Sequence, residues 1–80
     1  MKTYVEYEAG DKVVVEAVRE HGLCTDNARG GTESVPVGRP FLAKVVRTWY
    51  DYETGRRYVA ETEDGRKLYF GEFGVKARPA

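Results

Sequence analysis

"WYDYETGRRYVAETEDGRKLYF", Trp49 to Phe70, places two short turn signals between runs rich in aromatic and β-branched residues. The turns share one form, two ordinary residues and then glycine: Glu53-Thr54-Gly55 and Glu63-Asp64-Gly65. That form suits a three-residue hairpin loop, a type I turn closed by Gly in the left-handed region. Reading both loops this way predicts a three-stranded meander of defined register. Across the first turn Tyr52 faces Arg56, Asp51 faces Arg57, Tyr50 faces Tyr58, Trp49 faces Val59 and Arg47 faces Glu61. Across the second, Thr62 faces Arg66, Glu61 faces Lys67, Ala60 faces Leu68, Val59 faces Tyr69 and Tyr58 faces Phe70.

The two registers agree on the faces. Val46, Tyr50, Tyr58, Ala60, Leu68 and Phe70 share one, which reads as a core face. Arg47, Trp49, Asp51, Arg57, Val59, Glu61, Lys67 and Tyr69 share the other. There opposite charges are expected to meet, Asp51 with Arg57, and Glu61 with both Arg47 and Lys67. Such pairs belong in water, where each adds a few tenths to about 1 kcal/mol. An apolar row, Trp49–Val59–Tyr69, lies among them. A two-residue Asp-Gly loop at the second turn would instead bury Glu61 opposite Leu68, so the three-residue loop is preferred.

Outward from the meander, the apolar residues continue in short runs bounded by Gly, Asp and Pro, which read as strands. Lys2–Glu8 is a candidate first strand. Gly10-Asp11 makes a turn, and a strand of about seven residues starts at Lys12. Glu20 to Arg39 is a long polar connection, of a length uncommon without a functional or structural reason. Phe41–Tyr52, Arg56–Thr62 and Arg66–Phe70 form the meander. "GEFG", Gly71–Gly74, reads as a single helical turn before a last short strand, Val75–Arg78.

Eighty residues make one domain, 1–80, with a thin core. Positive and negative side chains balance, which argues against simple electrostatic binding to nucleic acid. The balance is uneven along the chain: residues 1–34 carry −3 and residues 35–80 carry +3. Such a dipole suits contact with a protein partner at least as well as DNA. One cysteine, Cys24, excludes an internal disulfide framework. With no basic-then-apolar leader and no long apolar run, the expected setting is a reducing cytoplasm and no membrane. The absence of Ile and Gln beside abundant Arg, Val, Gly and Ala points to a GC-rich genome, bacterial or phage.

The order strand, long loop, meander, helical turn and short last strand resembles the SH3-like small barrels, Tudor and KOW modules among them. The resemblance rests on "GDKVVV" (10–15), "AKVVRTWY" (43–50), "RRYVAETEDGRKLYF" (56–70) and "GEFGV" (71–75). It implies an all-β, SH3-like five-stranded barrel with an extra N-terminal strand. The type II dihydrofolate reductases look similar across "GDKV" and "VVRTWY…RRYVAE". They act as tetramers around a pore lined by a Val-Gln-Ile-Tyr motif. Here "RKLYF" (66–70) lacks that glutamine, so the resemblance implies their shape without their folate and nicotinamide contacts. A Tudor-type cage for a methylated cation needs converging aromatics, and the register sends Trp49 and Tyr50 to opposite faces.

Catalytic patterns are sparse. His21 and Cys24 are too few for a structural zinc site. Gly30-Gly31 lacks the Lys-Ser/Thr sequel of a phosphate loop, and Ser34 has no His and Asp constellation in the sequence around it. Arg56-Arg57 and Arg66-Lys67 read as solubilising hairpin tips, flanked as they are by acids. No catalytic residue, cofactor or metal is assigned. Three readings compete for the Trp49–Val59–Tyr69 row. It is covered by Lys2–Glu8 or by the 20–39 loop; it meets a protein partner, self-association included; or it stacks bases while Arg47, Arg57 and Lys67 hold phosphates. The expectation is a non-catalytic binding module, a regulatory or host-interaction factor. Trp49 is its anchor, Val59 and Tyr69 stand beside it, and Arg47, Arg57, Glu61 and Lys67 form the rim.

Overall fold

The computed structural model describes residues 6–80, all in strands, turns and irregular segments. The strands are β1 Lys12–Ala17, β2 Leu23–Asp26, β3 Thr32–Ser34, β4 Phe41–Asp51, β5 Gly55–Thr62, β6 Lys67–Gly71 and β7 Val75–Pro79. They form one antiparallel sheet in the order β3-β2-β6-β5-β4-β1-β7. Inward-facing residues alternate along it: Val13, Val15 and Ala17 on β1, Phe41, Ala43 and Val45 on β4, Tyr58 and Ala60 on β5, Leu68 and Phe70 on β6. All belong to one buried cluster with Leu23 and Val35. A single sheet can bury one face against itself only by curling, so the fold is an all-β half-barrel.

The second hairpin has the expected register: Glu61 pairs with Lys67, Ala60 with Leu68, Val59 with Tyr69 and Tyr58 with Phe70. Gly65 has φ +87° and donates its N–H to the Thr62 carbonyl at 3.0 Å, closing the type I turn. The first hairpin keeps a three-residue loop but sets it one residue earlier than expected. Asp51 pairs with Gly55, Tyr50 with Arg56, Trp49 with Arg57, Thr48 with Tyr58 and Arg47 with Val59. The cause is the Asp51 carboxylate, which accepts the backbone N–H groups of Glu53 (2.8 Å) and Thr54 (3.0 Å) and so starts the turn one residue early. The strands slide by two residues relative to the expected pairing. Side chains therefore keep their faces near the turn.

Farther along β4 the faces do change. The register shifts between Val45 and Arg47, a β-bulge with Val46 as the extra residue. Before it Phe41, Ala43 and Val45 point inward; beyond it Arg47 and Trp49 point outward. Val46, expected in the core, is therefore exposed. Tyr50, also expected there, is 72% exposed, because the β4–β5 hairpin runs past the end of the core. Tyr58, Ala60, Leu68 and Phe70 are buried as expected.

Three further expectations change. The 20–39 connection contains a third hairpin, β2–β3, which extends the sheet from β6 through Leu23↔Phe70, Cys24↔Tyr69 and Thr25↔Leu68. Asn27 organises its turn by accepting the N–H groups of Arg29 (2.9 Å) and Gly31 (3.0 Å). Gly71–Gly74 is not helical: Gly71 ends β6, and Glu72 to Gly74 form a bend. Of the candidate strand Lys2–Glu8, residues 2–5 lie outside the described region and Glu6–Glu8 are not extended into the sheet. Tyr7 instead closes one end of the core, its ring edge-on to Tyr58 at 6.3 Å.

Candidate functional site

The cross-strand pairs lay the outer face out in rows. Arg47, Val59, Tyr69, Cys24 and Ser34 stand opposite one another in turn across β4, β5, β6, β2 and β3. On one side of that row Trp49 stands opposite Arg57, itself opposite Gly71. On the other lie Lys12, Lys44, Glu61 and Lys67, each opposite the next. The predicted patch thus exists as neighbours, with Val59 and Tyr69 directly paired and Trp49 diagonal to Val59. Both Val59 and Tyr69 are half-buried, and Trp49 is 37% exposed.

Its rim is wired differently from the expectation. Glu61 and Lys67 form the expected ion pair at 2.9 Å. The Glu61 carboxylate, through hydrogen bond and charge, holds the Lys67 ammonium above the usual lysine range. Arg47 does not meet Glu61, because the two-residue slide set at the Asp51 turn puts Val59 opposite it. Its guanidinium lies over the Trp49 ring instead, 4.8 Å from the centroid. Asp51 does not pair with Arg57, since its carboxylate is committed to the turn. Those two backbone donors, more than the Arg57 charge, lower the Asp51 pKa below the usual aspartate value. The Tyr69 hydroxyl donates to Asp26 at 2.9 Å, and that bond raises its pKa.

Neither segment proposed as a cover reaches Trp49 among the described residues. Tyr7 carries Glu6–Glu8 to the inner face, and the 20–39 segment adds its strands to β6, with β5 between them and β4. What shields Trp49 is the guanidinium two residues away. Residues around the bulge form a feature that sequence reasoning missed. A groove of about 500 Å³ is lined by Lys12, Leu42, Lys44, Val46, Glu61 and Glu63, among others. A second hollow of about 340 Å³ shares Leu42, Thr62 and Glu63 with it and continues to Arg39 and Arg66. Because Val45 and Val46 look alike in sequence, nothing signalled which of them would face outward.

The structure also brings together a pair that sequence position keeps apart. His21 Nδ1 and Ser34 Oγ share a hydrogen bond, and His21 Nε2 lies 3.3 Å from the Glu20 carboxylate. Ser34 therefore does have a histidine beside it, contrary to the sequence reading. The His21 side chain is 73% exposed, and the bond ties the turn before β2 to β3. Among the described residues no three or more of His, Cys, Asp and Glu are grouped to hold a metal ion, and no helix is long and apolar enough to cross a membrane. Comparison of the chain with protein-family models, curated proteins and solved structures finds no match.

Proposed function

We propose that this chain is a non-catalytic binding module of SH3-like build that recognises a protein partner through the outer face of its meander. The observation that carries the reading is Trp49. It is a large aromatic left partly open on a sheet face, held flat by Arg47 and continuous with Val59 and Tyr69. A rigid aromatic centre within a charged rim is the composition favoured at interface hot spots. The SH3-like build is supported by the path of the chain: a strand, an excursion, the β4–β5–β6 meander, and a last strand that returns beside the first. Composition suggests a bacterial or phage origin, and a cytoplasmic regulatory or host-interaction role is the reading we attach to that origin. The test is cross-linking and capture from the source cell with wild type and Trp49→Ala in parallel. A specific partner lost with Trp49→Ala, while both proteins keep the same circular dichroism spectrum, supports the reading. Equal capture by both removes Trp49 as the anchor. Capture of nucleic acid alone, lost steeply as salt rises, moves the function to that class.

A further inference from the structure

Lys12 and Lys44 stand directly opposite each other across β1 and β4. Like charges so placed repel and weaken a sheet. The acid that register brings to Lys44 is Glu61, and it is bound to Lys67 instead. Among the described residues, neither Lys12 nor Lys44 has an ion-pair partner. Two exposed aliphatic side chains flank Lys44 on β4, Leu42 on one side and the bulge residue Val46 on the other. Two uncompensated ammonium groups over an aliphatic floor, in one groove of about 500 Å³, are complementary to something both acidic and apolar.

We propose that this groove seats an extended acidic–aliphatic segment of the partner protein, with its aliphatic side chains on Leu42 and Val46 and its carboxylates on Lys12 and Lys44. This rests on the protein-partner reading above and names the chemistry of the partner. The outer face continues along β4, past the bulge, to Arg47 and Trp49. From Leu42 to Trp49 the strand covers roughly 25 Å at about 3.3 Å per residue, the reach of an eight-residue extended peptide. Side chains of such a peptide alternate between its two faces, so acids and aliphatics that take turns at every second position share this face and meet the lysines and the floor. A phosphate backbone fits less well. An aliphatic floor offers no ring on which a base stacks, whereas Glu61 and Glu63 in the walls oppose any anion alike and do not decide between the two.

The test uses the whole chain and a labelled eight-residue peptide, Glu-Ser-Leu-Ser twice over, which when extended puts Glu and Leu on one face (the Glu-Leu peptide), followed by fluorescence anisotropy. Comparators are the same peptide with serine in place of leucine (Glu-Ser), the same peptide with lysine in place of glutamate (Lys-Leu), and an eight-nucleotide thymidine strand. The Glu-Leu peptide is expected to bind, and the Lys12→Glu variant to weaken it about tenfold, since charge contacts at a rim set rate and affinity together. Lys12→Glu is chosen because a glutamate there faces Lys44, so its melting temperature is expected not to fall. Leu42→Ser provides an independent arm that leaves the charges alone and is expected to weaken the same peptide. Unchanged Glu-Leu binding in both variants overturns the proposal. Equal binding of Glu-Ser removes the aliphatic part and overturns it as stated. Binding of the thymidine strand with the peptide silent replaces it by nucleic acid. Trp49→Ala separates the two readings. If it abolishes capture of the cellular partner while Lys12→Glu does not, the groove proposal fails and the Trp49 patch stands. If the Glu-Leu peptide depends on Lys12 and not on Trp49, the groove stands and the anchor fails.

Discussion

Tyr7 donates its backbone N–H to the Tyr58 hydroxyl at 3.2 Å, while its own hydroxyl is buried with no partner among the described residues. The two rings meet edge-on, and Tyr58 in turn stacks on Phe70 at 5.2 Å. One end of the core is therefore closed by a ring whose polar tip is a liability and another whose polar tip is used. Burial raises the pKa of both phenols, the first cause in each case.

The two tyrosines are expected to respond in opposite ways to the same change. Tyr7→Phe removes an unsatisfied buried hydroxyl and keeps the ring, so stability is unchanged or rises by up to about 1 kcal/mol. Tyr58→Phe strands the Tyr7 N–H and is expected to lose about 1 kcal/mol or more. Urea unfolding of the two variants reads this directly. A destabilised Tyr7→Phe would mean that its hydroxyl is paired in solution.

At the first hairpin, Asp51 is expected to make stability depend on pH. Its carboxylate accepts two turn N–H groups, and its folded-state pKa is depressed below the ordinary aspartate value near 3.9. The contribution is thus fully present above that value and lost as pH falls through the folded pKa. Asp51→Asn keeps the acceptor oxygen but never carries the charge. The gap in melting temperature between wild type and Asp51→Asn should hold constant near neutral pH and shrink below about pH 4. A gap that stays level into acid would assign the effect to geometry rather than charge.

That same carboxylate marks how far the sequence could be read. The Glu63-Asp64-Gly65 hairpin was legible in full, because its charge pair, its core pair and its loop type all agreed on one register. At Glu53-Thr54-Gly55 the glycine was visible, but the competing pull of Asp51 on the turn was not. The faces survived that error because the slide was by two residues. Val46 did not survive, since a bulge leaves no mark in a Val-Val pair. The β2–β3 hairpin escaped notice because its strands are too short to show alternation and its strong apolar anchors are few, Leu23 on β2 and Val35 just past the end of β3. Trp49 was placed on the correct face, whereas the Lys12–Lys44 groove needed both the bulge and the β1–β4 register to appear.

Gly22 is expected to be intolerant of any side chain. A Cβ there would lie 2.0 Å from the carbonyl oxygen of Gly74, which is backbone and cannot swing aside. Gly22→Ala must therefore push the turn before β2 away from the bend before β7. The expected loss is about 3 kcal/mol, the upper part of the usual overpacking range. Chemical denaturation measures it, and a loss below about 1 kcal/mol would show that the two segments separate easily.

The Lys12–Lys44 pair leads to the opposite expectation, a substitution that stabilises. Lys12→Glu turns a direct cross-strand repulsion into an attraction, and Asp11 and Glu16, acids of the preceding turn and of β1, are one and four positions away. Side chains one apart on a strand point to opposite faces, so Asp11 does not oppose the new carboxylate; Glu16, four away, shares its face but lies more than 10 Å along it by strand rise. The gain is expected to be a few tenths to about 1 kcal/mol, within the range of exposed cross-strand pairs, and to fade in high salt. Thermal melts at low and high salt measure it. If the gain appears and binding of the Glu-Leu peptide falls, the two lysines are maintained against their own repulsion for what they bind. A loss of stability instead would show that Lys12 has a local partner, and the repulsion would no longer argue for a ligand.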